Sequence, residues 1–369
     1  MTRASTTESE GVAHLPEPVV SVVIVNYNYA RFLRQSIESA LGQAYRSVEV
    51  IVVDDGSTDG SVEIIRGYGE RIRPVFKVNG GHGSCVNAGF AASRGDLVMF
   101  MDADDCYLPG AIREVVEASR GGAALIHFRL NIIDGHGRFI AEYPWPRVRL
   151  DSGDVTPILA SRGTFNCMVS TGNAFRRDVL KRLLPLDEKE FVRAPDGYLV
   201  HTVPFYGVVA AIEKPLGCYR MHGGNDSALH LPGSSVDVGK IRDMLGFSTR
   251  ELRLVATHSA ARGLRVSTHL PMRHMVHVQQ RLVSRKLEPE KHPFPGDSCW
   301  RLGLWGVLAA LRNRGLPLER RLLMAGWFAG VAVLPRRGAQ VLISLLLLPS
   351  WRQRLRDAMF WRRRPSAAD

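Results

Sequence analysis

Three apolar runs of strand length each stop on a polar or acidic cluster, and helical patterns lie between them. Residues 19–26 (VVSVVIVN) form a β-branched run that leads into Asn26, Tyr27 and Asn28. Residues 48–53 stop at Asp54 and Asp55, and residues 97–101 stop at Asp102, with Asp104 and Asp105 just beyond. Runs this short and this rich in Val and Ile read as buried strands. Residues 33–43 and 61–68 carry helical patterns, and residues 74–78 form a short third strand. A glycine-rich loop then leads to a helix expected over residues 87–93. Such alternation predicts an α/β fold with a mainly parallel sheet flanked by helices. Ligands of these sheets bind outside the carboxyl ends of the strands. All three polar clusters fall there.

The residue types suggest handling of a diphosphate. Asp102 and Asp104 are two apart at a strand end, a spacing that puts both carboxylates on one side. Two carboxylates suit a hard cation, Mg²⁺ or Mn²⁺, which takes its other ligands from water and substrate phosphates. That charge would offset the charge building on a leaving diphosphate. Asp105 adds a third carboxylate, repulsive without a cation. Asp54 and Asp55 can accept from a pyrimidine N–H or a ribose hydroxyl, with Asp55 the choice for the base. Simple turn and N-cap chemistry is the alternative for Asp54 to Asp59 and for Asn26, Tyr27 and Asn28. Gly80, Gly81, Gly83 and Gly89 permit close backbone approach to a ligand. A helix starting near Asn87 would offer its N-terminus to an anion.

Together the segments VVSVVIVNYN, VVDDGSTDGS, NGGHGSCVNAGF and RGDLVMFMDADD resemble a family 2 glycosyltransferase of GT-A fold. The resemblance covers residues 19–227. It implies transfer of one sugar from a nucleotide-diphosphate sugar, UDP by default, to a hydroxyl with inversion at the anomeric carbon. It implies Mn²⁺ or Mg²⁺ at Asp104, with Asp102 near the ribose or diphosphate. Asn26, Tyr27, Asn28, Asp54, Asp55, Asn79, Gly80 and Asn87 complete the implied nucleotide-sugar contacts. Residues 170–177 are similar to the acceptor-side segment, which places Gly172 and Asn173 there. Residues 193–199 resemble the catalytic-base segment. Its usual Glu-Asp is Pro195-Asp196 here, which leaves Asp196 to take the proton of the acceptor hydroxyl. Residues 218–227 resemble the segment that closes such domains, with His222 as a third metal ligand or a diphosphate donor. Gln279-Gln280-Arg281 has no following Trp, and no 18-residue apolar span exists. Single-sugar transfer is therefore expected rather than polymer extrusion.

The net charge of +12 is concentrated at one end: residues 301–369 hold 13 Arg, no Lys and 3 acids. These arginines are interleaved with Leu, Trp and Phe, which favours a membrane surface over nucleic acid. Residues 322–334 and 339–348 are apolar but shorter than the ~20 residues a spanning helix needs, and Pro335-Arg336-Arg337-Gly338 separates them. Two interfacial helices anchored by Trp327, Trp351 and Trp361 are expected, with a buried soluble hairpin as the alternative. The expected order is a disordered lead (1–18), a GT-A domain (19–230), a helical extension with a linker over 286–298 (231–300) and basic amphipathic helices (301–369). Five scattered cysteines without a CxxC pair suggest a reducing compartment. No apolar signal-peptide core is seen in the lead. The expected location is the cytoplasmic face of the inner membrane, with a glycan or lipid-linked acceptor. Two other classes were weighed. A nucleotidyltransferase would show a Gly-rich basic loop after the first strand, where this chain has Asn-Tyr-Asn-Tyr. A degenerate binding module is suggested by Pro195 and opposed by Asp102, Asp104 and Asp196.

Overall fold

A parallel half-sheet opens the chain. β1 (Val20–Asn26) is followed by α1 (Ala30–Leu41), β2 (Val48–Asp54), α2 (Ser61–Arg66), β3 (Arg73–Phe76), α3 (His82–Ala92) and β4 (Leu97–Asp102). The structure is a computed structural model, and it describes residues 17–144, 148–222, 236–266, 270–313 and 316–347. The expected lead, apart from Glu17 and Pro18, and also Trp351 and Trp361 lie outside the described residues. The four strands run parallel in the order β3-β2-β1-β4. The chain thus winds outward from β1 and returns on its other side, which makes a switch-point crevice between β1 and β4. Asn26 lies beside Asp54 and Val25 beside Asp102, so the polar ends of three strands are level.

The second half is mixed. It comprises β5 (Cys106–Tyr107), α4 (Ala111–Ser119), β6 (Leu125–Asp134), β7 (Phe139–Tyr143), α5 (Thr156–Arg162), β8 (Asn173–Arg176), α6 (Arg177–Leu180), α7 (Pro195–Thr202) and β9 (Val209–Met221). β8 joins the halves by pairing antiparallel with β4 and β6, while β9 runs parallel to β6 and antiparallel to β5. β6 and β7 form a hairpin around residues 134–138, where Asp134 N–H donates to Arg138 O at 2.9 Å.

Strand alternation feeds two apolar layers. Val22 and Ile24 of β1 join the cluster beneath α1 and α4, and Val23 joins the one beneath α3, as a period of two requires. Gly89 lets α3 lie directly on the sheet. A Cβ there would come within 2.2 Å of Val23 Cγ1 and 3.2 Å of Val53 Cγ2. Alanine improves helix propensity by about 1 kcal/mol, whereas overpacking a rigid core costs about 1–3 kcal/mol. Val23 is fully buried in the sheet and has no room to yield. Gly89→Ala is therefore expected to destabilise, read as a lowered urea midpoint; an unchanged or raised midpoint would contradict this packing.

The helical part comprises α8 (Val238–Ala261), α9 (Leu270–Arg273), α10 (Met275–Leu287), α11 (Cys299–Arg312), α12 (Leu318–Val333) and α13 (Arg336–Leu347). Leu252 and Val255 of α8 pack into the sheet's second layer, and Val238 and Ile241 pack with α10–α13. One helix thus ties both parts together. The stretch expected as a linker, 286–298, begins inside α10 and is packed: His292 contacts Ser284 Oγ at 3.0 Å and Asp297 Oδ2 at 2.9 Å. Trp327, expected at a membrane interface, is buried, and its Nε1–H donates to Leu342 O at 2.9 Å. The α12–α13 pair therefore buries one face as the hairpin alternative required.

Three buried histidines are held neutral. Removal from water pushes His127 and His274 down to about 4 and His277 down to about 3. Each titrates near 6.5 when unfolded, so the unfolded state binds more protons between those values. The stability they support is complete above about pH 6.5 and falls as pH drops toward 4, by at most ~1.4 kcal/mol per unit per histidine. His277→Gln is expected to flatten this acid limb in denaturant titrations. A limb parallel to that of the wild type would show that His277 is not buried in its neutral form.

Candidate active site

The ends of β1 and β2 are braced by their own side chains. Asn26 Nδ2 donates to Asp54 Oδ1 at 2.7 Å and to Ser57 Oγ at 3.1 Å. Asp54 is buried and its Oδ2 accepts from Ser57 N–H at 3.0 Å. Asn28 has φ +59°, and its Oδ1 accepts from the N–H groups of Thr58 and Asp59 at 2.7 and 3.3 Å. These three residues shape the rim through turn chemistry, while Tyr27 stands exposed beside them.

Asp55 is differently placed. Its Oδ1 accepts from Lys77 Nζ at 2.5 Å and Gly80 N–H at 2.9 Å, and its Oδ2 from Gly81 N–H at 2.8 Å. Asn79 Nδ2 donates to the Asp55 carbonyl at 3.0 Å. The Cys85 side chain also lies against this carboxylate, which is almost fully buried. Lys77 escaped the sequence reading; its signal is its place one residue past β3, level with Asp55.

α3 starts at His82, five residues before the expected Asn87. Its N-terminus is not open to an anion in the way expected. His82 N–H donates to Val192 O at 2.8 Å and Gly83 N–H to Phe191 O at 3.0 Å. Gly81 and Gly83 make room for those carbonyls, which would lie 2.6 and 2.4 Å from an added Cβ. Asn87 is consequently carried into mid-helix, where its amide bonds Leu186 and Glu188.

Beyond β4 the carboxylates gather. β4 stops at Asp102, and Asp105 N–H closes a turn onto Asp102 O at 3.0 Å. The turn, rather than strand alternation, therefore brings Asp102 and Asp104 near each other. Asp102 lies 3.5 Å from His82 Nε2, with the Ser170 side chain beside it. Burial in the crowded cleft, opposed by His82 and reinforced by Asp104 and Asp196, pushes its carboxyl up to about 6. Asp104 is buried, with Oδ2 at 2.9 Å from His222 Nε2. The His222 ring packs against Phe32 and Tyr29, with centroids 5.1 and 5.6 Å away. Asp105 is a brace, bonded by Thr171 Oγ1 at 2.5 Å and Arg220 N–H at 2.8 Å. Burial and the neighbouring Asp104 hold its carboxyl well above the usual range.

Asp196 stands in the first turn of α7, and its Oδ2 accepts from Ser170 N–H at 3.3 Å. Ser170 thus touches both Asp196 and Asp102, a link absent from the sequence assignment. Gly172 and Asn173 do not face the cleft. Gly172 is packed under Met168, and Asn173 Nδ2 donates to the Met168 and Val169 carbonyls at 3.1 and 2.7 Å. They hold the turn that presents Ser170. Asp104 and His222, bonded to each other at 2.9 Å, have the separation that adjacent ligands about 2.1 Å from one ion would have. Among the described residues no group of three or more His, Cys, Asp or Glu side chains is arranged to hold a metal ion.

Comparison with known proteins agrees with this geometry. The model of glycosyl transferase family 2 matches residues 21–184. An uncharacterized glycosyltransferase of Nostoc sp., alr2836, is 36% identical over 213 residues, which cover 56% of this chain and 66% of that protein. Uncharacterized glycosyltransferase RP339 of Rickettsia prowazekii is 40% identical over 99 residues, covering 27% of this chain and 31% of its own length. The chain therefore spans just under two thirds of the first relative and about a third of the second. Among solved structures, S. aureus TarS 1–349 in complex with UDP has a TM-score of 0.51 at 15% identity, covering 89% of this chain and 91% of that one. The same fragment in complex with UDP-GlcNAc gives 0.50. At that identity the likeness is one of fold, and it extends into the helical part. The strand-end carboxylates, the mixed sheet and the comparisons lead to one assignment: the fold is of GT-A type, and residues 21–184 of the chain match glycosyl transferase family 2.

Proposed function

We propose that the chain is an inverting transferase that moves one sugar from a nucleotide-diphosphate sugar to a hydroxyl acceptor. The supporting observation is the convergence of Asp102, Asp104, Asp196 and His222 on the crevice beyond β1 and β4, with Ser170 touching both Asp102 and Asp196. Asp55, fixed by Lys77 and two glycine amides, takes the nucleoside side. The UDP and UDP-GlcNAc complexes of TarS support a UDP-sugar as donor. Mn²⁺ or Mg²⁺ held by Asp104 and His222 would supply positive charge against the diphosphate. Asp196 takes the proton of the acceptor hydroxyl as its oxygen bonds the anomeric carbon and the nucleoside diphosphate departs. An alcohol is a poor nucleophile, and a fixed carboxylate base supplies the missing activation. Attack opposite the leaving group inverts the anomeric centre. NMR of the product made from an α-linked donor tests this: a β-linkage is expected, and a retained α-linkage would overturn the single-displacement reading.

The acceptor in this reading is a lipid-linked or cell-envelope glycan, met at a membrane surface. Trp300, Leu304, Leu322, Leu323, Val333 and Val341 are exposed on α11–α13, among exposed arginines that include Arg301, Arg336 and Arg337. Apolar side chains ringed by cations suit an anionic bilayer surface. No helix among the described residues is long and apolar enough to cross a membrane. Flotation with phosphatidylglycerol vesicles is expected and should weaken at high salt. Absence of flotation at low salt would remove the membrane part of the reading and leave the sugar-transfer part standing.

A further inference from the structure

The turn that carries Asp196 is gripped from two sides. Five consecutive carbonyls, those of residues 190–194, all accept hydrogen bonds. The α3 amides take two of them: His82 N–H bonds Val192 O and Gly83 N–H bonds Phe191 O. One guanidinium takes the other three. Arg250 of α8 donates from Nη1 to Glu190 O, and from Nη2 to Arg193 O and Ala194 O at 3.1 Å each. The same guanidinium lies 4.2 Å from the Phe191 ring centroid and 5.4 Å from that of Phe247.

Ala194 shows why such a grip is needed. It is the N-cap of α7, and its φ of +53° and ψ of +54° are left-handed. A residue with a Cβ holds that conformation only when its surroundings over-determine it. Its dihedrals set where Pro195 and Asp196 begin. Glu251, the next residue of α8, packs against the first turn of α7 that the turn leads into: its Oε1 lies 2.1 Å from where a Cβ of Gly197 would be.

We infer that Arg250 is a positioning residue for Asp196, clamping the strained 190–194 turn so that the carboxylate meets Ser170 in the cleft. The inference rests on the reading of Asp196 as the base. It makes the helical extension part of the active site. A planar guanidinium suits the task because its fixed fork of donors reaches several carbonyls at once, whereas a lysine ammonium is a point charge.

The test compares Arg250→Met, Arg250→Lys, Asp196→Asn and the double variant Asp196→Asn/Arg250→Met. The readouts are kcat and KM for the nucleotide sugar that the enzyme turns over, and UDP binding by calorimetry. Arg250→Met is expected to lower kcat about 10²-fold, the scale of a misplaced reacting group, with donor KM and UDP affinity unchanged. Arg250→Lys should fall between. In the Asp196→Asn background the Arg250 substitution should have little further effect, since Arg250 acts through Asp196. Ala194→Gly removes the left-handed strain that the clamp opposes, so Ala194→Gly/Arg250→Met should lose less kcat than Arg250→Met, and this second variant keeps the idea testable if Arg250→Met alone does not fold. Unchanged kcat in Arg250→Met, equal losses in both backgrounds, or joint loss of UDP binding and kcat in an Arg250→Met protein whose circular dichroism matches the wild type would each overturn the inference. An active Asp196→Asn enzyme would instead remove the base reading itself. An inactive one beside an active Arg250→Met would remove only the role of Arg250.

Discussion

Asp196→Asn is expected to lower kcat by about 10²- to 10⁴-fold, the usual contribution of a positioned general base. The amide preserves the shape and can still accept from Ser170 N–H, now 3.3 Å from Oδ2. It cannot take a proton from the acceptor. UDP binding should survive, because Asp55 is held by Lys77 and the Gly80 and Gly81 amides rather than by Asp196. Stability should hold or rise. The Asp196 charge helps push up the carboxyls of Asp102 and Glu251, each of which is shifted first by burial. Removing it relieves like-charge repulsion, and a catalytic group that strains its own site is a common trade between function and stability. Rate and thermal unfolding measured on one preparation check both halves. A drop in melting temperature that parallels the rate would mark Asp196 as structural.

Arg220→Met is expected to be the most destabilising substitution near the site, by about 3–5 kcal/mol, the scale for removing one partner from a buried charged network. The side chain is 2% exposed. Its Nε–H donates to Asp104 O at 2.7 Å, Nη2 to Gln35 Oε1 at 2.7 Å and Nη1 to Asp134 O at 3.3 Å. The guanidinium also lies 4.8 Å from the Phe32 ring centroid. It thus supplies positive charge beside Asp104 and Asp105 and ties the turn after β4 to α1 and to the end of β6. Methionine fills similar volume but leaves those acceptors dry and the carboxylates unbalanced. Asp105→Asn is the contrasting control. Burial already favours the neutral form of that carboxyl, so the amide should change stability little. Urea unfolding of both variants tests the pair, and similar losses in the two would contradict the account.

The strands and their acidic ends were legible because β-branched runs and terminal carboxylates are local signals. Val20–Asn26, Val48–Asp54 and Leu97–Asp102 lie within a residue or two of where the pattern put them. The start of α3 was not legible. Gly80-Gly81-His82-Gly83 has loop propensity, and the helix forms there because carbonyls of Phe191 and Val192, over 100 residues away, bond its first amides. Shorter separations, still beyond any local pattern, hid Lys77 from Asp55 and Arg250 from Asp196. Trp327 was misjudged for a related reason. An aromatic residue among arginines has the composition of an interface, and only the packing of α12 on α13 shows it turned inward. For Gly172 and Asn173, sequence similarity marked a segment but could not tell which of its residues faces the cleft; that residue is Ser170.

The central claim is that the carboxylate cluster beyond β4 turns over a nucleotide sugar. It is tested most directly by nucleotide release across a panel of nucleotide sugars with Mn²⁺, for the wild type and for Asp104→Ala. Release from one donor that depends on the metal and is lost in Asp104→Ala is the predicted result. Release from no donor, or equal release by the two proteins, would contradict it.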